Sequence, residues 1–244
     1  MKIFAVNGSP TMKKGMTTIM MDLFLKGAEE AGAEVESIFV SDKKIQFCTG
    51  CFKCWVKHPG VCIFKDDMPE LLEKIKEADV MIFGTPVYAD GMTAQTKMFI
   101  DRIIPLIQPE IEFVDDHYRH EKRLDIIPKI ALLSCAGFYE NDNFDALVHH
   151  VKSICKNFQS EYIGAVLRPS SYTLAMEDFY PDHVPAIKQA IYDSGKELAT
   201  QGSFNDETLK AVTTQPISAE DNLQRANEMW AFCRSQGKFL FHEK

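Results

Sequence analysis

Long apolar runs are missing from this sequence, and so is any excess of positive charge. Its 244 residues carry 27 Lys and Arg against 35 Asp and Glu, a formal charge of −8. Phosphate backbones are met by basic faces, so no nucleic-acid partner is expected. No apolar stretch approaches the ~20 residues that span a bilayer. Met1-Lys2 runs straight into Ile3-Phe4-Ala5-Val6, too short for the apolar region of a secretory signal. The expectation is a soluble, cytoplasmic protein with no membrane partner. Repeats and low-complexity segments are absent too. So are the Walker A pattern and G-x-G-x-x-G, which argues against an NTPase and against a dinucleotide Rossmann domain.

What the chain does have is cysteine in one place. Cys48, Cys51, Cys54 and Cys62 fall within fifteen residues as C-x2-C-x2-C-x7-C, while Cys135, Cys155 and Cys233 are scattered. Structural zinc usually takes two well-separated C-x2-C knuckles, each filling two corners of a tetrahedron. Three thiolates at successive short spacing, with a fourth close behind, suit one cubane iron–sulfur cluster. A cysteine-rich loop that binds nothing stays open beside these two readings. Disulfides are disfavoured in the cytosol.

Elements alternate along the chain. Ile3 to Val6 is an unbroken apolar run, as in a central parallel strand buried on both faces. The polar loop Asn7–Thr18 leads into a helix on which Ile19, Met20, Leu23, Phe24 and Gly27 recur, ending near Gly32. Such a loop sets N–H groups and the hydroxyls of Ser9, Thr17 and Thr18 at a helix start, which favours an anion. Equally, it can be a plain turn with Thr17 as N-cap. Glu34 to Val40 reads as a second strand, followed by the cysteine loop. Asp66-Asp67-Met68-Pro69 opens a helix with an acidic cap and an early proline. Val80 to Phe83 is a third strand, and Ala94 to about Ile104 the next helix. Residues 105–128 are polar, hold three prolines and the cluster His117–Arg123, and read as a long insertion between regular elements. Lys129–Ser134 and Tyr162–Leu167 are further strands, with a helix over Asn143–Asn157 between them. The tail holds two or three helices. One carries the stripe Ile187, Ala190, Ile191, Ser194, Leu198 and another Leu223, Ala226, Trp230, Cys233, each expected in the core or at a subunit contact.

Five strands alternating with helices make an α/β, doubly wound parallel sheet. The order 2-1-3-4-5 puts ligands beyond the carboxyl ends of the strands, at the switch between strands 1 and 3. The loops after strands 1, 3 and 4 and the cysteine loop after strand 2 then meet at one end.

Those loops resemble a known family. Asn7-Gly8-Ser9-Pro10…Gly15-Met16-Thr17 is similar to the N-G-S-P-R-x-x-G-N-T phosphate loop of the flavodoxin-like NADPH-dependent FMN reductases. Thr11 stands where that family often has Arg, and Met16 where it often has Asn. Gly84-Thr85-Pro86-Val87-Tyr88…Gly91-Met92-Thr93-Ala94-Gln95…Lys97…Phe99-Ile100-Asp101-Arg102 resembles its flavin-ring loop and following helix. Cys48-Thr49-Gly50-Cys51-Phe52-Lys53-Cys54…Cys62…Asp66-Asp67-Met68 is similar to the iron–sulfur flavoprotein branch, whose compact motif holds a [4Fe–4S] cluster. The resemblance covers about residues 1–165.

It implies a flavodoxin-like FMN-binding unit over 1–168, with a cysteine loop at 47–63. A helical extension over 169–244 would pack on the core or at a subunit interface. It implies FMN held by Ser9, Thr11, Met16, Thr17 and Thr18 at its phosphate. Thr85, Pro86, Val87, Tyr88 and Gly91 would lie along one side of its ring, with Ser134, Cys135 and Gly137 nearby. The four cysteines would be cluster ligands relaying single electrons. It also implies a homodimer or homotetramer, ferredoxin or NAD(P)H as electron donor, and a small-molecule acceptor. Because the flavin carries the chemistry, no catalytic side chain is assigned. Two other functions stay in view. One is an NAD(P)H-dependent FMN or quinone reductase without a cluster, with Arg119–Arg123 as a candidate nucleotide-phosphate site. The other is a non-enzymatic electron carrier or thiol redox sensor.

Overall fold

The computed structural model describes residues 1–239, so the last five residues of the expected 169–244 extension lie outside the described residues. In chain order, β1 (Lys2–Asn7) leads to α1 (Met16–Glu30) and β2 (Glu34–Phe39). A cysteine-bearing loop with the one-turn helix α2 (Lys53–Val56) precedes α3 (Met68–Glu77). Next come β3 (Val80–Pro86), α4 (Ala94–Asp101), β4 (Ile107–Val114), β5 (His117–Lys122) and β6 (Lys129–Cys135). The described chain ends with α5 (Asp145–Phe158), β7 (Tyr162–Arg168), α6 (Val184–Gln201), α7 (Asp206–Val212) and α8 (Ala219–Gln236).

Five strands form a parallel sheet in the order β2-β1-β3-β6-β7, the flavodoxin-like 2-1-3-4-5 arrangement with a hairpin inserted. Successive strand residues point to opposite faces, so an unbroken apolar run feeds two cores at once. Phe4, Val6, Met81, Phe83 and Leu132 meet Leu71, Ile75, Phe99 and Val151 from α3, α4 and α5 on one face. Ile3, Ala5, Ile82 and Leu133 meet Met20, Phe24, Ile187 and Ile191 from α1 and α6 on the other. On that second face α1 and α6 touch backbone to backbone, through Gly27 against Tyr192 and Gly195 against Phe24.

The insertion expected over 105–128 is itself regular: β4 and β5 pair as an antiparallel hairpin. Its turn is Asp115-Asp116, both at positive φ (49° and 59°), the two-residue geometry that matches strand twist. Helix α4 stops at Asp101 rather than Ile104, because Pro105 follows in a short 3-10 turn over Ile104–Leu106. The N-cap of α1 is Gly15, with no side-chain cap, so Thr17 lies inside the helix and does not cap it. At α3 the capping oxygen comes from Asp66, which accepts from the Met68 N–H at 3.2 Å, while Asp67 binds the Lys44 N–H.

The two tail stripes part company. Ile187, Ala190, Ile191, Ser194 and Leu198 are buried, whereas on α8 only Cys233 of its stripe is buried and Leu223 and Trp230 stand exposed. Among the described residues no helix is long and apolar enough to cross a membrane.

Candidate functional site: a loop-lined cavity and a thiol cavity

The turn after β1 is tied from within. Asn7 donates through Nδ2 to Thr18 Oγ1 (2.9 Å) and accepts the Ser9 N–H on Oδ1 (3.0 Å), while Thr18 Oγ1 donates to the Met12 carbonyl (2.6 Å). Ser9 Oγ and Thr11 Oγ1 lie 3.0 Å apart beside Gly15. A Cβ on Gly15 would sit 2.4 Å from Thr11 Oγ1 and 2.5 Å from Ser9 Oγ, so the helix start stays bare only because this residue is glycine. Uncapped helix N–H groups flanked by two hydroxyls suit an anion of phosphate size.

The loop after β3 is pinned onto that turn. Gly8 N–H donates to the Gly84 carbonyl at 2.7 Å. Thr93 Oγ1 donates to the Gly8 carbonyl at 2.7 Å and caps α4 by accepting the Thr96 N–H. Thr85 Oγ1 accepts the Thr93 N–H at 3.1 Å. Ser134 Oγ donates to the Thr85 carbonyl at 2.7 Å, joining the ends of β3 and β6. Ala89 and Asp90 both have positive φ and turn the chain so that Tyr88 and Gly91 bond each other's backbones, leaving the Tyr88 ring half exposed.

These loops border a cavity of about 730 Å³, within the range of small-molecule sites. Of the expected flavin residues, Thr11, Met16, Tyr88, Cys135 and Gly137 line it. Ser9, Thr17, Thr18, Thr85 and Ser134 are buried, and Pro86, Val87 and Gly91 are half-buried where they shape the loop that carries Tyr88. Cys135 sits 3.2 Å from Thr17 Oγ1, its thiol pushed up by complete burial. Sequence reasoning missed much of the wall, including Phe138, Tyr172 and the α8 residues Arg225, Met229, Trp230 and Phe232. No motif marks α8, and only topology carries it there. Asn222, held by Ser170 Oγ at 3.3 Å and by the Tyr172 hydroxyl, anchors it beside the cavity.

The second cavity, about 80 Å³, is bordered by Cys48, Cys51, Cys54 and Cys62 together. Left-handed Gly50 (φ 63°) and Phe52 (φ 51°) wind the chain tightly enough to bring the first three thiols to one side. A hydrogen bond from the Lys53 backbone holds the exposed Cys51 thiol below its ordinary value. Burial pushes Cys54 up, and the nearby thiols of Cys62, Cys48 and Cys51 add to this. Among the described residues no three His, Cys, Asp or Glu side chains gather closely enough to hold a single metal ion.

The hairpin braces this loop. Trp55 donates to the Ile104 carbonyl at 3.3 Å and packs against His120 (4.7 Å between centroids) and Phe52 (4.9 Å). Arg123 Nε donates to the Pro105 carbonyl at 3.0 Å and so is committed to the hairpin base. Arg119 borders a separate groove with Ser160 and Glu161, which precede β7. That groove lies at the amino end of the strands, away from the flavin loops.

Arg102 closes the inner wall of the thiol cavity. Its side chain and that of Asp66 are 1% and 3% exposed and form a bidentate pair, at 2.7 and 3.1 Å. Burial pushes the Asp66 carboxyl up, but Arg102 and the N–H groups of Gln46 and Met68 outweigh it and hold it below the usual carboxylate range.

Fold and loops together form a flavodoxin-like α/β scaffold, and known proteins resemble it. Residues 1–117 match the NADPH-dependent FMN reductase family. An iron–sulfur flavoprotein of Archaeoglobus fulgidus is 46% identical over 105 residues, 43% of this chain and 46% of that protein. Another, from Methanocaldococcus jannaschii, is 43% identical over 106 residues, 43% of this chain and 53% of that protein. Over these matches the chain spans about half the length of its curated relatives. An FMN-dependent NADH-azoreductase of Bacillus anthracis, solved in complex with FMN, shares the fold at 16% identity. Its TM-score is 0.61 over 82% of this chain and 99% of that one. Over residues 1–117 this chain is therefore similar to the NADPH-dependent FMN reductase family, and within that stretch to iron–sulfur flavoproteins.

Proposed function

We propose that this chain is an FMN-dependent oxidoreductase that passes electrons between a one-electron carrier of the ferredoxin kind and a small-molecule acceptor. A [4Fe–4S] cluster on Cys48, Cys51, Cys54 and Cys62 serves as the relay. The observation that carries this reading is that one chain frames two cavities, the first lined by residues of the loops after β1, β3 and β6 and the second by four thiols. The four thiols border one cavity. Three thiols at successive short spacing with a fourth close behind suit a cube, which places each thiolate on its own iron, better than a zinc ion, which usually takes two well-separated knuckles.

FMN when bound exchanges electrons singly or in pairs, and a cubane exchanges them singly. The chain's own residues bind and orient. Ser9, Thr11 and the N–H groups after Gly15 take the phosphate, with Met16, Thr17 and Thr18 forming the first turn behind them. Tyr88 lies against the ring, on a loop shaped by Thr85, Pro86, Val87 and Gly91. The Ser134–Gly137 stretch lies nearby, its Ala136 N–H committed to the Arg168 carbonyl. Met229 and Trp230 keep water from the outer face. NAD(P)H is the alternative donor, and its former candidate site is weakened because Arg123 is committed and Arg119 faces the wrong end of the sheet.

Exposed Ile111, Phe113 and Tyr118 on the hairpin and Phe47 and Val56 on the cysteine loop favour association with further copies in a cytoplasmic homo-oligomer.

The deciding experiment is the visible spectrum of protein purified without oxygen, with iron and acid-labile sulfide assayed on the same sample. A flavin spectrum with a broad shoulder and about four iron and four sulfide per chain is expected. A clean flavin spectrum that persists after attempted reconstitution removes the relay and leaves an NAD(P)H-dependent reductase.

A further inference from the structure

Arg102 does more than join two helices. It follows α4 directly and its guanidinium faces the thiol cavity. Nη1 donates to the Gln46 carbonyl (2.6 Å) and to Asp66 Oδ2 (2.7 Å), and Nη2 donates to Asp66 Oδ1 (3.1 Å). Those bonds alone would hold the cysteine loop to the core. Nη2 also donates to Cys62 Sγ at 3.4 Å, and the guanidinium carbon lies 5.0 Å from the centre of the Phe64 ring. A neutral thiol is a weak acceptor, and a thiolate is a strong one, because the bond is then charge-assisted. The donor is thus aimed at the one form of Cys62 that ligates metal.

We propose that Arg102 is a positioning residue for a [4Fe–4S] cluster, presenting Cys62 to it and raising its reduction potential through the bond to the Cys62 sulfur. This rests on the cubane reading above. Reduction adds one negative charge to the ligated sulfurs and irons, and a hydrogen-bond donor at a sulfur stabilises the more negative form. Asp66 neutralises the guanidinium at longer range, so what remains at the sulfur is the directed N–H. Burial fixes that direction in the planar fork: Nη1 is held by the Gln46 carbonyl and Asp66, Nη2 is held by Asp66 and aims its second hydrogen at Cys62, and Nε–H has no partner. Lysine keeps the charge but lacks the fork.

The test is a redox titration of the anaerobic holoprotein with dithionite, following the electron paramagnetic resonance signal of the reduced cluster. Wild type, Arg102→Lys and Asp66→Asn are compared, with iron and sulfide assayed on each. Arg102→Lys should keep its iron and shift the reduction equilibrium at least tenfold toward the oxidised form, about 59 mV for a one-electron couple. Asp66→Asn leaves the cation without its counter-charge and should shift the equilibrium the opposite way. A purely structural bracket moves both variants together, so equal loss of iron from the two overturns the assignment. An unchanged potential in iron-replete Arg102→Lys overturns it as well. Wild-type protein that takes up no iron refutes the cubane reading itself, and the role of Arg102 falls with it.

Discussion

Replacing Gly195 by alanine places a methyl carbon 1.8 Å from the Phe24 carbonyl oxygen. That oxygen is backbone, so no rotamer relieves the contact and the two helices must part. Reaching ordinary contact needs a movement of roughly 1.5 Å, which lifts the α6 stripe off α1 along its length. Overpacking of this kind costs about 1–3 kcal/mol and more where backbone is involved, and alanine returns about 1 kcal/mol of helix propensity. The expected net loss is about 3 kcal/mol, read by thermal unfolding as a fall in Tm of about 6–12 °C. Gly27→Ala meets the Tyr192 carbonyl at 2.0 Å and should behave alike. One parting of the helices accommodates both methyl groups, so the double variant should lose clearly less than the sum of the two. An unchanged or raised Tm for Gly195→Ala would refute the close-contact argument, and strict additivity would refute the shared movement.

Trp55→Ala should cost about 2 kcal/mol, less than a fully buried tryptophan, and hydrogen exchange should quicken in α2 and β5 while β1 and β3 keep their protection. Protection lost evenly across the sheet would show that the hairpin does not brace the loop specifically. Burial pushes Cys155 from 9.0 up to about 12 and Tyr162 from 10.0 up to about 12. Folding therefore retains protons that the unfolded chain releases, so stability is full below pH 9 and falls as pH rises from 9 toward 12. Denaturant melts of wild type and Cys155→Ala across that window should show a shallower decline in the variant, and identical slopes would clear Cys155 of the effect.

The central strands were legible because Ile3–Val6 and Val80–Phe83 carry apolar side chains on both faces, which only a sheet covered on both sides can bury. The hairpin was not. Its turn is Asp-Asp rather than Asn-Gly, and its strands are too polar to alternate cleanly. Thr17 looked like a cap because threonine usually caps, yet Gly15 occupies that position and Thr17 turns inward toward Cys135. The flavin loops could be placed from sequence, but the outer wall of their cavity comes from Arg225 to Phe232, more than 130 residues beyond Tyr88, with nothing local to announce it. Arg102 was visible only as the end of a motif. Its partners Asp66 and Cys62 are joined to it by the fold alone.

Helix α4 has eight residues, capped by Thr93 against the flavin turn and followed directly by Arg102 at the thiol cavity. It is therefore a ruler of about 12 Å with a rotational phase, since each residue turns the helix by about 100°. Lengthening or shortening it by one residue would swing Arg102 away from Asp66 and Cys62 before it changed the gap by more than about 1.5 Å. The gap between the flavin turn and Arg102 and the aim of the guanidinium are thus coupled, and a change of about seven residues, two whole turns, is the smallest that alters the first while nearly keeping the second.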